Sequence, residues 1–349
     1  MAAAIVAATA GALGYTQNAR DITPAPAFTA DQLTALPRTS WPNNGGNLAQ
    51  QRYSPLTEIT RENVTNLKGV WRTHLRGSGL DPKYSGEATP IVHEGTLYIS
   101  TGANDVFALS VETGEILWQY ECHLDPGITT VCCGWTNRGV AIGEGKVFQG
   151  QLDGKLVALD QRSGEPVWVI QAERWQEGFT ITSAPLYFDG LVITGFAGAD
   201  KGTRGRVKAY SAASGELVWT FYTIPGPGEI GHETWPAGSD VWRHGGAAVW
   251  QTPAADAELG LVYFATANPG PDYAGAIRPG DNLFSSSIVA VDAATGEYRW
   301  HFQQVHHDLW DYDASNPVVL FDAEIDGELR RGIVEVGKTG FAYILDRAT

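Results

Sequence analysis

What this chain has little of narrows it first. No apolar run reaches the roughly 18 residues a membrane-crossing helix needs, so no membrane span is expected. Basic residues are scarce: 24 Lys and Arg stand against 39 Asp and Glu, a formal net charge of −15. That argues against nucleic acid as a partner, because its binding needs a positive face. An acidic surface otherwise serves mainly solubility, and it is compatible with a cationic redox partner. Methionine occurs once, against 41 Gly and 12 Trp, and long helical patterning is missing. That balance points to an all-β protein with many turns. No CxxCH run occurs, so these residues carry no c-type haem attachment motif.

Only three cysteines are present, and two of them, Cys132 and Cys133, are adjacent in VCCGWTNRG. A bond between neighbours closes a ring over one peptide unit and removes almost no chain entropy, so it is a poor staple. Its geometry is also strained. The residues themselves leave three readings open: a flat surface for something to lie on, a metal-binding thiol pair, or two unpaired thiols. A disulfide here would imply an oxidising compartment and leave Cys122 odd. Residues 2–13, AAAIVAATAGAL, have the apolar core of an export signal but no preceding Lys or Arg. Export and a plain N-terminal tail both fit.

An eleven-residue pattern recurs: ALSVETGEILW at 108–118, ALDQRSGEPVW at 158–168, AYSAASGELVW at 209–219 and AVDAATGEYRW at 290–300. A partial copy begins at Tyr343. The glycines at 114, 164, 215 and 296 are 50, 51 and 81 residues apart, so an insertion lies between the third and fourth copies. Each copy reads as a strand, a turn with Gly at positive φ, and a second strand carrying Trp. Sheets at this period cannot bury both faces alone and must stack on their neighbours. Radial stacking makes a β-propeller, with the repeated Trp docking one sheet on the next. Residues 1–40 are expected as a tail or export signal followed by an arm, and 41–349 as the propeller domain. Residues 41–75 read as a strand, a Pro turn, a short helical turn and another strand. The Gly-, Pro- and His-rich insertion, 223–247, is expected to be too polar for core and to cross one mouth of the propeller.

The repeats, together with CCGWTNRG at 132–139, WPNNGGNLAQQRYSPLTEIT at 41–60, the turn at Gly202 to Gly205, TANPGP at 266–271, RPGDN at 278–282 and HHDLWDYD at 306–313, resemble the quinoprotein alcohol dehydrogenases of the methanol and ethanol dehydrogenase type. The likeness covers nearly everything from Trp41 to Arg347. It implies an eight-bladed propeller holding pyrroloquinoline quinone (PQQ) and one metal ion, a lanthanide or Ca2+. This chain carries about five blades, which on that comparison makes it C-terminally incomplete.

The resemblance also implies roles. The Cys132–Cys133 pair matches a disulfide platform under one face of the quinone, and Trp250 the ring over the other. Arg138 and Lys338 match cationic cofactor contacts, Glu87 and Thr182 hydrogen-bonding ones, and Gly198 and Ala199 backbone contacts. Asp200, Asn268 and Asp311 fall at metal positions. Asp200 departs from the usual Glu, and its shorter side chain bears on metal affinity. Ala197 replaces a residue that is polar in some relatives. Asp313 stands where an acidic residue accompanies lanthanide use. Asp311 matches the catalytic base, which takes the hydroxyl proton as hydride passes to metal-bound PQQ. The adjacent His306 and His307 point to opposite faces of a strand and are expected not to share an ion. His232 and His244 are expected as loop scaffolding.

The function implied is oxidation of an alcohol to an aldehyde or ketone in the periplasm or another exported location, with electrons leaving to a cytochrome c or another acceptor. The alternatives are a PQQ-dependent sugar or polyol dehydrogenase, and a scaffold propeller like the outer-membrane assembly proteins. A scaffold has no reason to hold the Cys pair, Arg138, Asn268 and Asp311 together.

Overall fold

The computed structural model describes residues 22–79, 85–129, 131–314 and 316–349. The apolar stretch 2–13 lies outside them. The repeats fold as successive antiparallel meanders. The first comprises β1 (Ile91–His93), β2 (Thr96–Ser100), β3 (Val106–Ser110) and β4 (Ile116–Tyr120). The second comprises β5 (Ala141–Gly143), β6 (Lys146–Gly150), β7 (Lys155–Asp160) and β8 (Pro166–Gln171). The third comprises β9 (Leu186–Phe188), β10 (Leu191–Gly195), β11 (Arg206–Ser211) and β12 (Leu217–Tyr222). The fourth comprises β13 (Ala254–Asp256), β14 (Leu261–Ala265), β15 (Ser287–Asp292) and β16 (Tyr298–Gln303). A three-stranded sheet follows, of β17 (Val319–Ile325), β18 (Glu328–Val336) and β19 (Ala342–Asp346). These five sheets are the blades of an all-β propeller, and the main apolar cores lie between neighbouring sheets.

The repeat explains the docking. The Trp of each copy faces a small Ala across the third and fourth strands, as in Ala158↔Trp168, and the same one-residue bulge follows that Ala in every full copy. The indoles of Trp118, Trp168, Trp219 and Trp300 then donate Nε1–H to the main-chain oxygens of Gln161, Ala212, Ala293 and Arg347 in the following repeat. The turn glycine takes φ of +74° at Gly164, and a Cβ there would stand 2.6 Å from the Trp118 ring. Glycine is therefore required twice, by backbone conformation and by the neighbouring indole.

Two expectations need correction. Within 41–75, Trp41 makes only an isolated bridge to Val92, and residues 68–76 form no strand. No partner strand flanks that segment among the described residues, and a strand needs one to satisfy its backbone. Trp71 nevertheless docks like the repeat tryptophans, donating to the Val111 carbonyl at 2.9 Å. The insertion 223–247 is not wholly polar: Ile224, Trp235, Trp242 and Ala247 are buried together as a small core of their own. The arm packs down on the blades, burying Ile22, Ala25 and Leu33. No helix among the described residues is long and apolar enough to cross a membrane.

Candidate functional site

In the middle sheets the first strand is buried and the fourth is the exposed edge. Because first and second strands are antiparallel, the segment entering the first and the turn leaving the second emerge at the same end. The entering segments carry Glu87 before β1, Arg138 before β5, Thr182 before β9, Trp250 before β13, and Asp311 and Asp313 before β17. The leaving turns carry Gly198 to Asp200 after β10, Asn268 after β14 and Lys338 after β18. Neighbouring entries are tied together: Arg138 N donates to Thr182 O at 3.0 Å, and Thr89 N to Arg138 O at 3.1 Å.

Arg138 is the hub of one half. Its guanidinium lies 3.1 Å from a Glu87 oxygen and 5.0 Å from the centroid of the Trp250 ring. Trp250 in turn packs on Ala199, Ala248 and Ala267. Burial lowers the Arg138 pKa, with Glu87 and then the two cysteines opposing it. The sulfurs of Cys132 and Cys133 face each other at 2.6 Å as free thiols, so the expected disulfide is not formed in this structure. Partial burial first, and then Cys133 and the negative charges of Asp200 and Asp311, push the Cys132 thiol up to about 12 although the residue is exposed overall. Gly198 is fitted tightly: its φ is +129°, and a Cβ would stand 2.2 Å from Gly178 O. A cavity of about 510 Å3 opens beside Glu87 and Arg138, with Asn44 and Arg52 on its wall.

The other half is built on HHDLWDYD. Asp308, 1% exposed, accepts from Trp310 N, Tyr312 N, Asp313 N and Ser286 Oγ. It holds Asp311 and Asp313 at φ of +61° and +57°, left-handed turn conformations that Asp adopts more readily than most residues. Lys338 Nζ lies 2.9 Å from Asp313 Oδ2, 3.5 Å from Asp311 Oδ1 and 2.7 Å from Asp311 O. The other Asp313 oxygen accepts from Asn268 N at 2.5 Å. Burial pushes the Asp313 carboxyl up to about 6 against those two donors. Burial works to lower the Lys338 pKa, but Asp313 and Asp311 outweigh it and the net shift is upward. Burial, then repulsion from Asp311, raises Asp200.

The expected metal residues therefore come to one end of the propeller without forming a closed cage. Among the described residues no three His, Cys, Asp or Glu side chains are grouped to hold an ion. Both Asp313 oxygens are already bonded, one to Lys338 Nζ and the other to Asn268 N. His232 and His244 behave as loop scaffolding, on the carbonyls of Pro225 and Gly202. His306 and His307 lie in a turn after β16 rather than on a strand, so the strand argument for separating them does not apply, and His307 sits on the Gly280 carbonyl. His306 faces Asp281.

Sequence reasoning missed Asp272, Asp308 and Arg278. Asp272 Oδ1 accepts from Asn268 Nδ2 at 2.5 Å. Burial raises its pKa, with Asp200 adding to the shift. Arg278, fully buried, donates to the carbonyls of Pro271, Asp272 and Asp308 and so ties the Asn268 turn to the Asp311 loop. RPGDN signalled the arginine, but its spacing gave no hint of the partners.

The residues present fit PQQ and a hard cation. The Thr182 hydroxyl is buried with no hydrogen-bond partner, as a group awaiting a ligand is. Two cations, Arg138 and Lys338, suit carboxylates and quinone oxygens. The remaining donor set of carboxylate and amide oxygens suits a hard ion.

Residues 41–349 match the PQQ family model described as the β-propeller domain of glucose/ethanol/alcohol dehydrogenase. The quinohemoprotein alcohol dehydrogenase ADH-IIG of Pseudomonas putida is 39% identical over 89% of this chain and 44% of its own length. The crystal structure of the quinohemoprotein alcohol dehydrogenase of Comamonas testosteroni superposes with a TM-score of 0.85 at 36% identity, over 92% of this chain and 50% of that one. A europium-containing methanol dehydrogenase does so with a TM-score of 0.84 at 33% identity, over 91% and 58%. The chain spans about half the length of the curated relatives it matches. With its repeats, its site and these likenesses in accord, the chain belongs to the PQQ-dependent glucose/ethanol/alcohol dehydrogenase β-propeller family.

Proposed function

We propose that this chain supplies the PQQ- and cation-binding part of a dehydrogenase that oxidises an alcohol to an aldehyde or ketone, exported to the periplasm and passing electrons to a cytochrome c or another acceptor. The observation that carries this is the meeting of Arg138, Glu87, Thr182 and Trp250 with Asp200, Asn268, Asp311 and Lys338 at one end of a propeller of this family. When bound, PQQ would supply a two-electron hydride acceptor and the cation a Lewis acid beside it.

The protein's own residues do the rest. Arg138 neutralises and orients carboxylate, with Glu87 fixing its guanidinium. The Thr182 hydroxyl would donate a hydrogen bond to the cofactor, and Gly198 and Ala199 let backbone approach closely. In the oxidising compartment proposed, Cys132 and Cys133 would give up two electrons and two protons to its thiol oxidants and, as a disulfide, form a flat surface on the side away from Trp250. Asp200, Asn268 and Asp311 supply oxygens to the cation, and Asp313 joins them once Lys338 releases it. Asp311 takes the substrate's hydroxyl proton at its carboxylate. A carboxylate beside a cation is a weak base, so placement and exclusion of water matter more than its intrinsic strength. The extra Asp313 and the likeness to a europium-containing enzyme favour a lanthanide over calcium.

The test is reconstitution with PQQ and either La3+ or Ca2+, followed by dye reduction with a panel of alcohols. Alcohol-dependent turnover that Asp311→Asn abolishes is expected. No PQQ binding, or turnover unaffected by that substitution, overturns the reading.

A further inference from the structure

Asn268 can serve a cation only through its amide oxygen, because its NH2 group has no lone pair to offer. A primary amide presents oxygen and nitrogen in nearly the same shape, so something must decide which faces the ion. In this structure the nitrogen has two acceptors, Asp272 Oδ1 at 2.5 Å and the Pro269 carbonyl at 3.2 Å, and neither a carboxylate nor a carbonyl oxygen has a hydrogen to donate. A flipped amide would set its oxygen against both. The side chain is buried at 3% exposure, and its main-chain N–H is fixed to Asp313, so the residue has little freedom to avoid that clash by moving. Asp272 is itself held from behind, its carbonyl taken by the fully buried Arg278.

We infer that Asp272 is a positioning residue for the cation site: it locks the Asn268 amide with nitrogen away from the ion and oxygen toward it. The inference rests on the cation-site reading above and adds a residue that no motif marked. In this role Asp272 acts through Asn268, and the Asn268→Ala background below separates that from direct contact with the ion. Partners that orient metal ligands typically change affinity by roughly 10–100-fold.

The geometry separates this role from simple charge. Asp272→Asn and Asp272→Ala both remove the negative charge, but only the Asn variant keeps an acceptor oxygen for Asn268 Nδ2. The Pro269 carbonyl, the longer of the two contacts, biases that amide pair toward the native arrangement but does not replace the closer Asp272 oxygen. The part of the gap between the two variants that disappears without Asn268 therefore reports the acceptor.

The probe is terbium(III), titrated into the PQQ-containing protein and read by luminescence on indole excitation. Asp272→Leu serves as a second variant without an acceptor should Asp272→Ala fold poorly. The Asn variant is expected to bind terbium about tenfold or more tightly than the Ala or Leu variant. Placing the same pair on an Asn268→Ala background should close the gap. Equal affinities for the Asn and Ala variants, or a gap that persists without Asn268, overturns the positioning role while leaving the cation site standing. An unmodified protein that binds no terbium overturns the cation site, and this inference with it.

Discussion

Thr182→Val should move stability and cofactor affinity in opposite directions. The Thr182 side chain is 3% exposed, and its Oγ1 is buried without a hydrogen-bond partner. An unsatisfied buried hydroxyl costs about 1–3 kcal/mol. Valine has nearly the same shape and removes that penalty, so the PQQ-free protein should gain about 1 kcal/mol. The same hydroxyl is the donor assigned to the cofactor, where a bond to a charged oxygen contributes about 1.5–3 kcal/mol. Its loss should weaken PQQ binding by roughly 10- to 100-fold. Thr252→Val is the control: Thr252 is equally buried, but its hydroxyl donates to Ala184 O at 2.9 Å. That variant should lose about 1 kcal/mol and leave PQQ affinity unchanged. Urea unfolding of the PQQ-free proteins and fluorescence titration with PQQ measure both quantities. If Thr182→Val destabilises as Thr252→Val does and binds PQQ as well as the parent, the hydroxyl was already satisfied and the cofactor assignment fails with it.

Four further expectations follow from the fold and the thiols. Gly164→Ala and Gly95→Ala share a left-handed backbone, φ +74° and +77°, but only the first would drive a Cβ to 2.6 Å from an indole. Gly95→Ala should cost about 1–2 kcal/mol and Gly164→Ala clearly more, as denaturant midpoints would show; equal losses would mean that the Trp118 docking contact is soft. Arg347 clamps Asp256 at 2.6 Å between the last two sheets, both side chains under 10% exposed, so Arg347→Ala should cost about 3–5 kcal/mol in the same assay. Burial works to raise the Asp256 pKa, but bonds from Leu259 N and Arg347 outweigh it and the net shift is down. Its contribution is therefore complete above the ordinary carboxylate pKa and fades as pH falls through the lowered value; stability curves from pH 7 to 3 that coincide for the parent and Asp256→Asn would refute this. Finally, a Cys132–Cys133 disulfide in the exported protein leaves Cys122 as the sole thiol in the denatured chain, whereas the free pair of this structure leaves three; thiol titration in denaturant counts them.

The propeller was legible because its instructions are local and repeated. Strand, turn glycine and tryptophan recur within eleven residues, and stacking is the sole way such sheets can bury both faces. The family motifs likewise pointed to Arg138, Asn268 and Asp311 before any contact was known. Which atoms meet was not legible, because those contacts span distant repeats. Nothing near Asp272 in the chain announces that it would hold the Asn268 amide, and nothing in RPGDN shows Arg278 bridging two loops. The composition of 223–247 hid a buried pair, Trp235 and Trp242, since a few aromatics can close a small core inside a polar segment. Even the docking glycine had two explanations in sequence, and only the packed sheets add the second. Sequence alone determined the repeating unit and its chemistry-bearing residues; tertiary structure decided their partners, because hydrogen-bond and ion-pair geometry is fixed by blades brought together from afar.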